Sequence, residues 1–281
     1  MSFTPRSTLV HRSVLVGVAV LALVLVPGFL DTHREPCYGG LTLSKWLQDT
    51  YNGAEVEARV AVQAMGTNAI PFLLDQLRKQ RSPVKATIVS AAERLGIELY
   101  SWKYNVLQAN WRGMTGFRLL GPAGGSAAPE VAKLLLRPET RDLAASALSA
   151  MEPEGLVELM RALTNRDSGI RLVVSRELGE LLAAPLPPEA GSRFVLPAPT
   201  RGSQTDIVTF ASTRVVPALM ASLTDPDSAV RRQVVISLRQ LGVQREAVIE
   251  AVRHLLQDED SEVRREVQLT IQESSSLTGD K

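Results

Sequence analysis

Leu223-Thr-Asp-Pro-Asp-Ser-Ala-Val230-Arg231 returns further along the chain as Leu256-Gln-Asp-Glu-Asp-Ser-Glu-Val263-Arg264, with the two leucines 33 residues apart. Leu163-Thr-Asn-Arg-Asp-Ser-Gly-Ile170-Arg171 is a third copy, and Leu77-Arg-Lys-Gln-Arg-Ser-Pro-Val84-Lys85 a weaker fourth. A repeat of this length equals one helix pair. Such a unit cannot bury its own apolar face, so successive units must stack into a solenoid.

Counting from Leu77, Leu136, Leu163, Leu223 and Leu256 tests the register. Seven residues on stand Val84, Leu143, Ile170, Val230 and Val263; eleven on stand Ile88, Ala147, Val174, Val234 and Val267. An apolar pair at i and i+4 predicts a core stripe on the second helix of each unit. Nineteen residues on stand Gly96, Gly155, Leu182, Gly242 and Ser275. Glycine there suits the left-handed residue that closes a helix. Pro71 and Pro217 each lie six residues before their anchor leucine and are expected to start or kink the first helix of the pair.

Two spacings depart from the period. Between Leu77 and Leu136 a divergent helical unit contains the aromatic stretch Tyr100, Trp102, Tyr104 and Trp111. Between Leu163 and Leu223 a Pro-rich segment, 184–205, reads as an inserted surface loop.

Composition narrows the function. The chain has 281 residues, of which 45% are hydrophobic and only 5% aromatic, so packing rests on aliphatic side chains. A net charge of +1 supplies no global field to concentrate nucleic acid. One cysteine, Cys37, excludes an internal disulfide and a cysteine-built zinc site, and three scattered histidines do not form a metal cluster. The acidic run Asp258, Glu259, Asp260 and Glu262 lacks the glycine and carboxylate spacing of a calcium loop and reads as a solvated turn. No catalytic residue, cofactor or metal site is indicated.

Ser13 to Leu30 holds 18 residues without a charge, preceded by Arg6 and Arg12 and followed by Asp31. As a helix it reaches about 27 Å, close to the thickness of a bilayer core. The expectation is a basic cytoplasmic region at 1–12, a transmembrane signal anchor at 13–30 and a linker at 31–41. A helical solenoid at 42–273 and a polar tail at 274–281 would follow. The basic flank places the solenoid outside the cytoplasm, at the inner membrane. Cleavage after Gly28 is the competing reading and would release a secreted or periplasmic protein. Thr42 is expected to cap a first helix that Gly53 ends, with Leu43, Trp46, Leu47 and Tyr51 at helical spacing.

The phrase Leu-x-Asp-x-Asp-Ser-x-Val-Arg, followed by a helix and Leu-Gly, resembles the HEAT repeat. The fold class expected is therefore all-α, a right-handed, armadillo-type α-solenoid of HEAT-like pairs behind one N-terminal membrane helix. Tyr38-Gly-Gly-Leu-Thr-Leu-Ser-Lys-Trp-Leu47, Ala-Met-Gly66-Thr-Asn-Ala-Ile-Pro71 and Gly116-Phe-Arg-Leu-Leu-Gly-Pro122 also resemble membrane-anchored HEAT-repeat proteins of the Verrucomicrobia type. The resemblance implies a non-catalytic scaffold that docks another protein or an extended peptide. The alternatives are a structural element of the envelope and an accessory to an enzyme such as a HEAT-like bilin lyase.

Within the signature, Asp225 and Asp258, with Asn165 in the equivalent place, sit in the turn between the helices and are expected to cap the second helix. Arg171, Arg231 and Arg264 follow six residues later. Carboxylates and guanidinia of neighbouring turns are expected to bond unit to unit; an anion-binding arginine row is the functional alternative. Trp102 and Trp111, with Arg193 and Phe194 of the inserted loop, are the candidate partner surface, the tryptophans having a local core as their competing role.

Overall fold

Thr42 places its hydroxyl 3.4 Å from the N–H of Lys45 and so opens the first helix, α1 (Leu43–Asp49), whose Leu43 and Leu47 are fully buried. The computed structural model describes residues 35–80, 83–94, 96, 100–182 and 204–278. The expected membrane segment at 13–30 lies outside these residues, as does most of the inserted loop. Ahead of α1, within the expected linker and running into Thr42, Cys37–Tyr38 (β1) and Leu41–Thr42 (β2) pair antiparallel. Gly39 and Gly40 form the two-residue turn, both at positive φ, which their missing side chains permit. Trp46 fastens the hairpin to α1, its indole N–H donating to the Tyr38 carbonyl at 3.0 Å.

Helix pairs follow. α2 (Glu55–Met65) packs on α1 and ends at Gly66. α3 (Ile70–Arg78) carries Pro71 in its first turn, where a missing N–H costs nothing. α4 (Pro83–Arg94) and α5 (Tyr100–Leu120) come next, then α6 (Ala128–Ala132) with a 3-10 extension to Leu136, α7 (Arg141–Ala150), α8 (Glu154–Ala162) and α9 (Ser168–Gly179). Beyond the insertion, α10 (Gln204–Phe210) passes through a π-helical turn, Ala211–Val215, into α11 (Val216–Ala221). Pro217 cannot supply its N–H to the carbonyl four residues back, and the wider turn just before it relieves that break. This run is long and apolar enough to cross a membrane by length and composition alone. Here Ile207, Ala211, Val215, Val216 and Leu219 are buried in the repeat core. The chain closes with α12 (Ser228–Leu241), α13 (Arg245–Val252) and α14 (Ser261–Thr278).

The second helices, α5, α7, α9, α12 and α14, stack in that order. Ile170, Val174, Val230, Val234, Val263 and Val267 are buried along the stack, and Ala147 joins them on α7. The contact between α9 and α12 is the most extensive between any two described helices, although the insertion separates them in sequence. Gly179 makes it possible: a Cβ there would lie 2.5 Å from the Cβ of Ser237. The Ser237 hydroxyl donates to the Ser175 carbonyl at 2.7 Å across the same contact.

Three positions depart from the register read in sequence. Leu136 is 63% exposed, while Leu134 and Leu135 are buried. Three consecutive leucines on a helix sweep more than half a turn, wider than one buried stripe. Gly155 does not close a helix; it lies in the first turn of α8, where a Cβ would meet the Leu148 carbonyl oxygen at 2.0 Å. Gly96 and Gly242, by contrast, have φ of 73° and 64°. Lastly, α4 is not the core partner of α3. Ile88 is only half-buried, and α5 takes the place instead.

α5 reaches α3 through small and polar residues. The Asn110 amide faces the carbonyls of Gln76, Leu77 and Lys79 at 2.9–3.1 Å and satisfies the open end of α3. Gly113 lets the backbones meet: a Cβ would lie 2.7 Å from the Leu77 nitrogen and 2.9 Å from the Leu73 carbonyl oxygen. Because those are backbone atoms, they cannot turn aside. Gly113→Ala is therefore expected to lower stability by about 1–3 kcal/mol, despite alanine's better helix propensity. Urea unfolding followed by circular dichroism checks it, and a midpoint equal to or above wild type would show that α3 and α5 do not meet here.

Candidate functional site

The repeated phrase builds one long polar seam. In each copy the aspartate just before the second helix is its N-cap: Asp167 accepts from the Gly169 N–H at 2.8 Å, Asp227 from Ala229 at 2.9 Å and Asp260 from Glu262 at 2.8 Å. The capping role expected for Asn165, Asp225 and Asp258 therefore falls two residues later. Those three side chains instead accept from the N–H of the capping aspartate itself, at 2.9–3.0 Å. The Asp-Ser pair shared by all three strong copies was the available signal for the true caps.

Four residues after each cap comes an arginine. Arg171 donates from Nη1 to the carbonyls of Asn165 and Arg166, Arg231 to those of Asp225 and Pro226, and Arg264 to those of Asp258 and Glu259. Each guanidinium is thus fixed against its own turn. The other edge of the fork reaches the next unit. Arg171 holds Asp225 with two bonds, 2.6 Å from Nε and 2.7 Å from Nη2, and Arg231 holds Asp258 the same way at 2.8 and 2.7 Å. Both pairs are almost wholly shielded from water. A second rung runs beside the first: the hydroxyls of Ser168 and Ser228 favour the charged form of the capping carboxylates Asp227 and Asp260 in the following unit and hold them below their ordinary value.

The seam changes chemistry where α7 meets α9. The arginine position on α7 is Ala144, and the residue it would address is Asn165, so both charges are missing together. Arg141, at the position of Ser168 and Ser228, bonds Asp167 at 2.5 Å and supplies the link instead. The Asn165 side chain therefore receives no arginine from the preceding unit.

Charge follows geometry. The Arg231 bonds hold Asp258 below its ordinary value against the opposing effect of burial, and the Asp260 N–H assists. The same pairing holds Arg231 above its own, as Asp225 does for Arg171. One carboxylate moves the other way. Burial, with Glu180 adding repulsion, pushes Glu177 on α9 up to about 7, although Arg118, Arg176 and the Ser149 hydroxyl pull against it. Arg118 is turned toward the Ser146 hydroxyl on α7, at 2.9 Å.

Of the candidate partner residues, the side chain of Trp111 alone is described. Trp102 belongs to α5, and nothing of its side chain is described; Trp111 is half-buried against the core; Arg193 and Phe194 lie outside the described residues. Among the described residues no group of three or more His, Cys, Asp or Glu is placed to hold a metal.

These carboxylates predict opposite pH effects. The lowered pKa of Asp258 adds stability that is present above the ordinary aspartate range and lost as pH falls through the folded value, below about 4. Glu177 binds its proton more tightly folded than unfolded, so stability declines as pH rises from about 4.5 to about 7. Glu177→Gln is expected to flatten the profile between pH 5 and 7 and to raise stability at pH 8 by about 1–3 kcal/mol, the lower end reflecting partial access of water. Thermal melts across pH 3–8 check both slopes; a variant that keeps the wild-type decline would refute the assignment to Glu177.

Residues 205–272 match the family model described as HEAT repeats. No curated protein matches the chain. Two crystal structures of engineered proteins are similar to it. One has 18% identity and a TM-score of 0.41, covering 83% of this chain and 96% of the other; the second has 19% and 0.38, covering 83% and 68%.

Proposed function

We propose that this HEAT-repeat protein is a non-catalytic scaffold that docks another protein or an extended peptide and is held at the cytoplasmic membrane by residues 13–30, its solenoid outside the cytoplasm. The observation that carries the docking reading is the stack itself: six described helix pairs, α1–α2, α3–α5, α6–α7, α8–α9, α10/α11–α12 and α13–α14, joined unit to unit. Stacked pairs offer an extended surface larger than any single pocket, which suits a long partner. HEAT repeats in general mediate protein–protein interaction. The membrane reading is supported by the uncharged run Ser13–Leu30 behind Arg6 and Arg12. A net charge of +1 supplies no global field to concentrate nucleic acid, which supports a protein partner.

Specificity is assigned to the two places where the repeat rule breaks, the segment 184–205 with Arg193 and Phe194 and the aromatic stretch with Trp102 and Trp111. Half-buried Trp111 contributes one edge at most, because its remainder packs on the core.

Cross-linking in cells, followed by affinity capture of the full-length chain from detergent-solubilised membranes, tests this reading. The expected result is a discrete, stoichiometric partner that is lost in an Arg193→Ala, Phe194→Ala variant, with the uncleaved N-terminus found by sequencing the recovered chain. Diffuse cross-linking to the cell wall would favour a structural envelope element, and a mature N-terminus at Phe29 would contradict the anchor.

A further inference from the structure

The seam of arginine and serine donors has an open end. Arg171 and Ser168 address Asp225 and Asp227; Arg231 and Ser228 address Asp258 and Asp260. In each case one unit donates from a guanidinium fork and a hydroxyl to two carboxylates spaced two residues apart. Arg264 and Ser261 occupy the same positions on α14. Arg264 is clamped to its own turn by the carbonyls of Asp258 and Glu259, at 2.6 and 3.0 Å, as its two counterparts are. Its Nε and Nη2, and the Ser261 hydroxyl, have no partner among the described residues.

We infer that Arg264 and Ser261 form a docking site for an Asp-x-Asp turn of a partner protein, a segment with two carboxylates two residues apart that opens a helix. The clamp means little rotamer freedom remains to be lost on binding. The planar fork matches one carboxylate with two parallel bonds, as it does twice within this molecule. The nearby acidic side chains do not forbid an anion: Asp260 has its counterpart in Asp227, beside which Arg231 still takes Asp258, and Glu259 and Glu262 face Arg231 and Arg232 of the preceding unit at 3.5 and 3.6 Å.

The surrounding face favours a polar partner over a further apolar unit. Where α9 and α12 bury Ser175 and Val235, α14 exposes Gln268, flanked by exposed Arg265 and Gln272.

This inference names one docking end of the scaffold proposed above, and its test does not depend on capturing a cellular partner. The probe is a fluorescent peptide with the sequence of residues 222–231, which presents Asp225 and Asp227, titrated against the full-length protein in detergent and read by anisotropy. Saturable binding is expected, weakened about tenfold by Arg264→Gln and by a peptide carrying Asp225→Asn, and unchanged by Arg265→Gln. The asparagine peptide needs no variant protein, so it decides the matter even if Arg264→Gln disturbs the last turn. Equal binding of the two peptides, or an equal loss with Arg265→Gln, would overturn the site.

Discussion

A guanidinium held by two carbonyls of its own turn and two carboxylate oxygens of the next is the contact on which the stack depends. It joins residues far apart in sequence, 54 in the case of Arg171 and Asp225, and it fixes both distance and angle between units. Such a pair is not a large net source of stability. Removing two charges from water costs nearly as much as their attraction returns, and well-packed apolar residues would serve as well. Its value lies in the penalty for misplacement: a unit shifted by one helical turn strands a buried arginine and a buried aspartate, at a cost of several kcal/mol. Aliphatic cores of Leu, Val and Ala tolerate slippage, and the seam does not.

The seam also shows how the fold accommodates irregularity. Where Ala144 replaces the arginine, Asn165 replaces its acceptor, and Arg141 bridges to the capping aspartate instead. Where the chain inserts residues between α9 and α10, Arg171 still meets Asp225, and Gly179 still admits Ser237. Where the α3–α5 unit keeps only a weak copy of the phrase, close backbone approach at Gly113 and the Asn110 amide fix α5 on α3. The polar rungs and the Gly179 contact thus set one second helix on the last, while Gly113 and Asn110 set the two helices of one pair.

Much of this was legible in the residues. A phrase repeated at the length of a helix pair led to the solenoid and the buried branched stripe. Asp225, Arg231 and their counterparts stood out because the spacing between them recurs. What escaped was local. One leucine among 134–136 had to face water, and periodicity alone does not choose which. Gly155 and Gly242 look alike in sequence, yet one makes room for a neighbouring backbone and the other adopts a left-handed turn. The helix at 83–94 has the right spacing for a core element, but α5 is longer and carries the glycines that admit close approach, so it wins the place beside α3. The candidate aromatic residues carry no repeat pattern, and the packing of Trp111 on the core depends on nothing that spacing reveals.

The units on either side of the insertion are consecutive members of one stack. A double-mutant cycle between Arg171 and Asp225, using Arg171→Gln and Asp225→Asn with unfolding free energies for all four proteins, tests it most directly. A coupling energy of at least about 1.5 kcal/mol is predicted, as expected of a desolvated bidentate pair. Additive effects, with coupling near zero, would mean that these turns do not touch and that the solenoid is divided at the insertion.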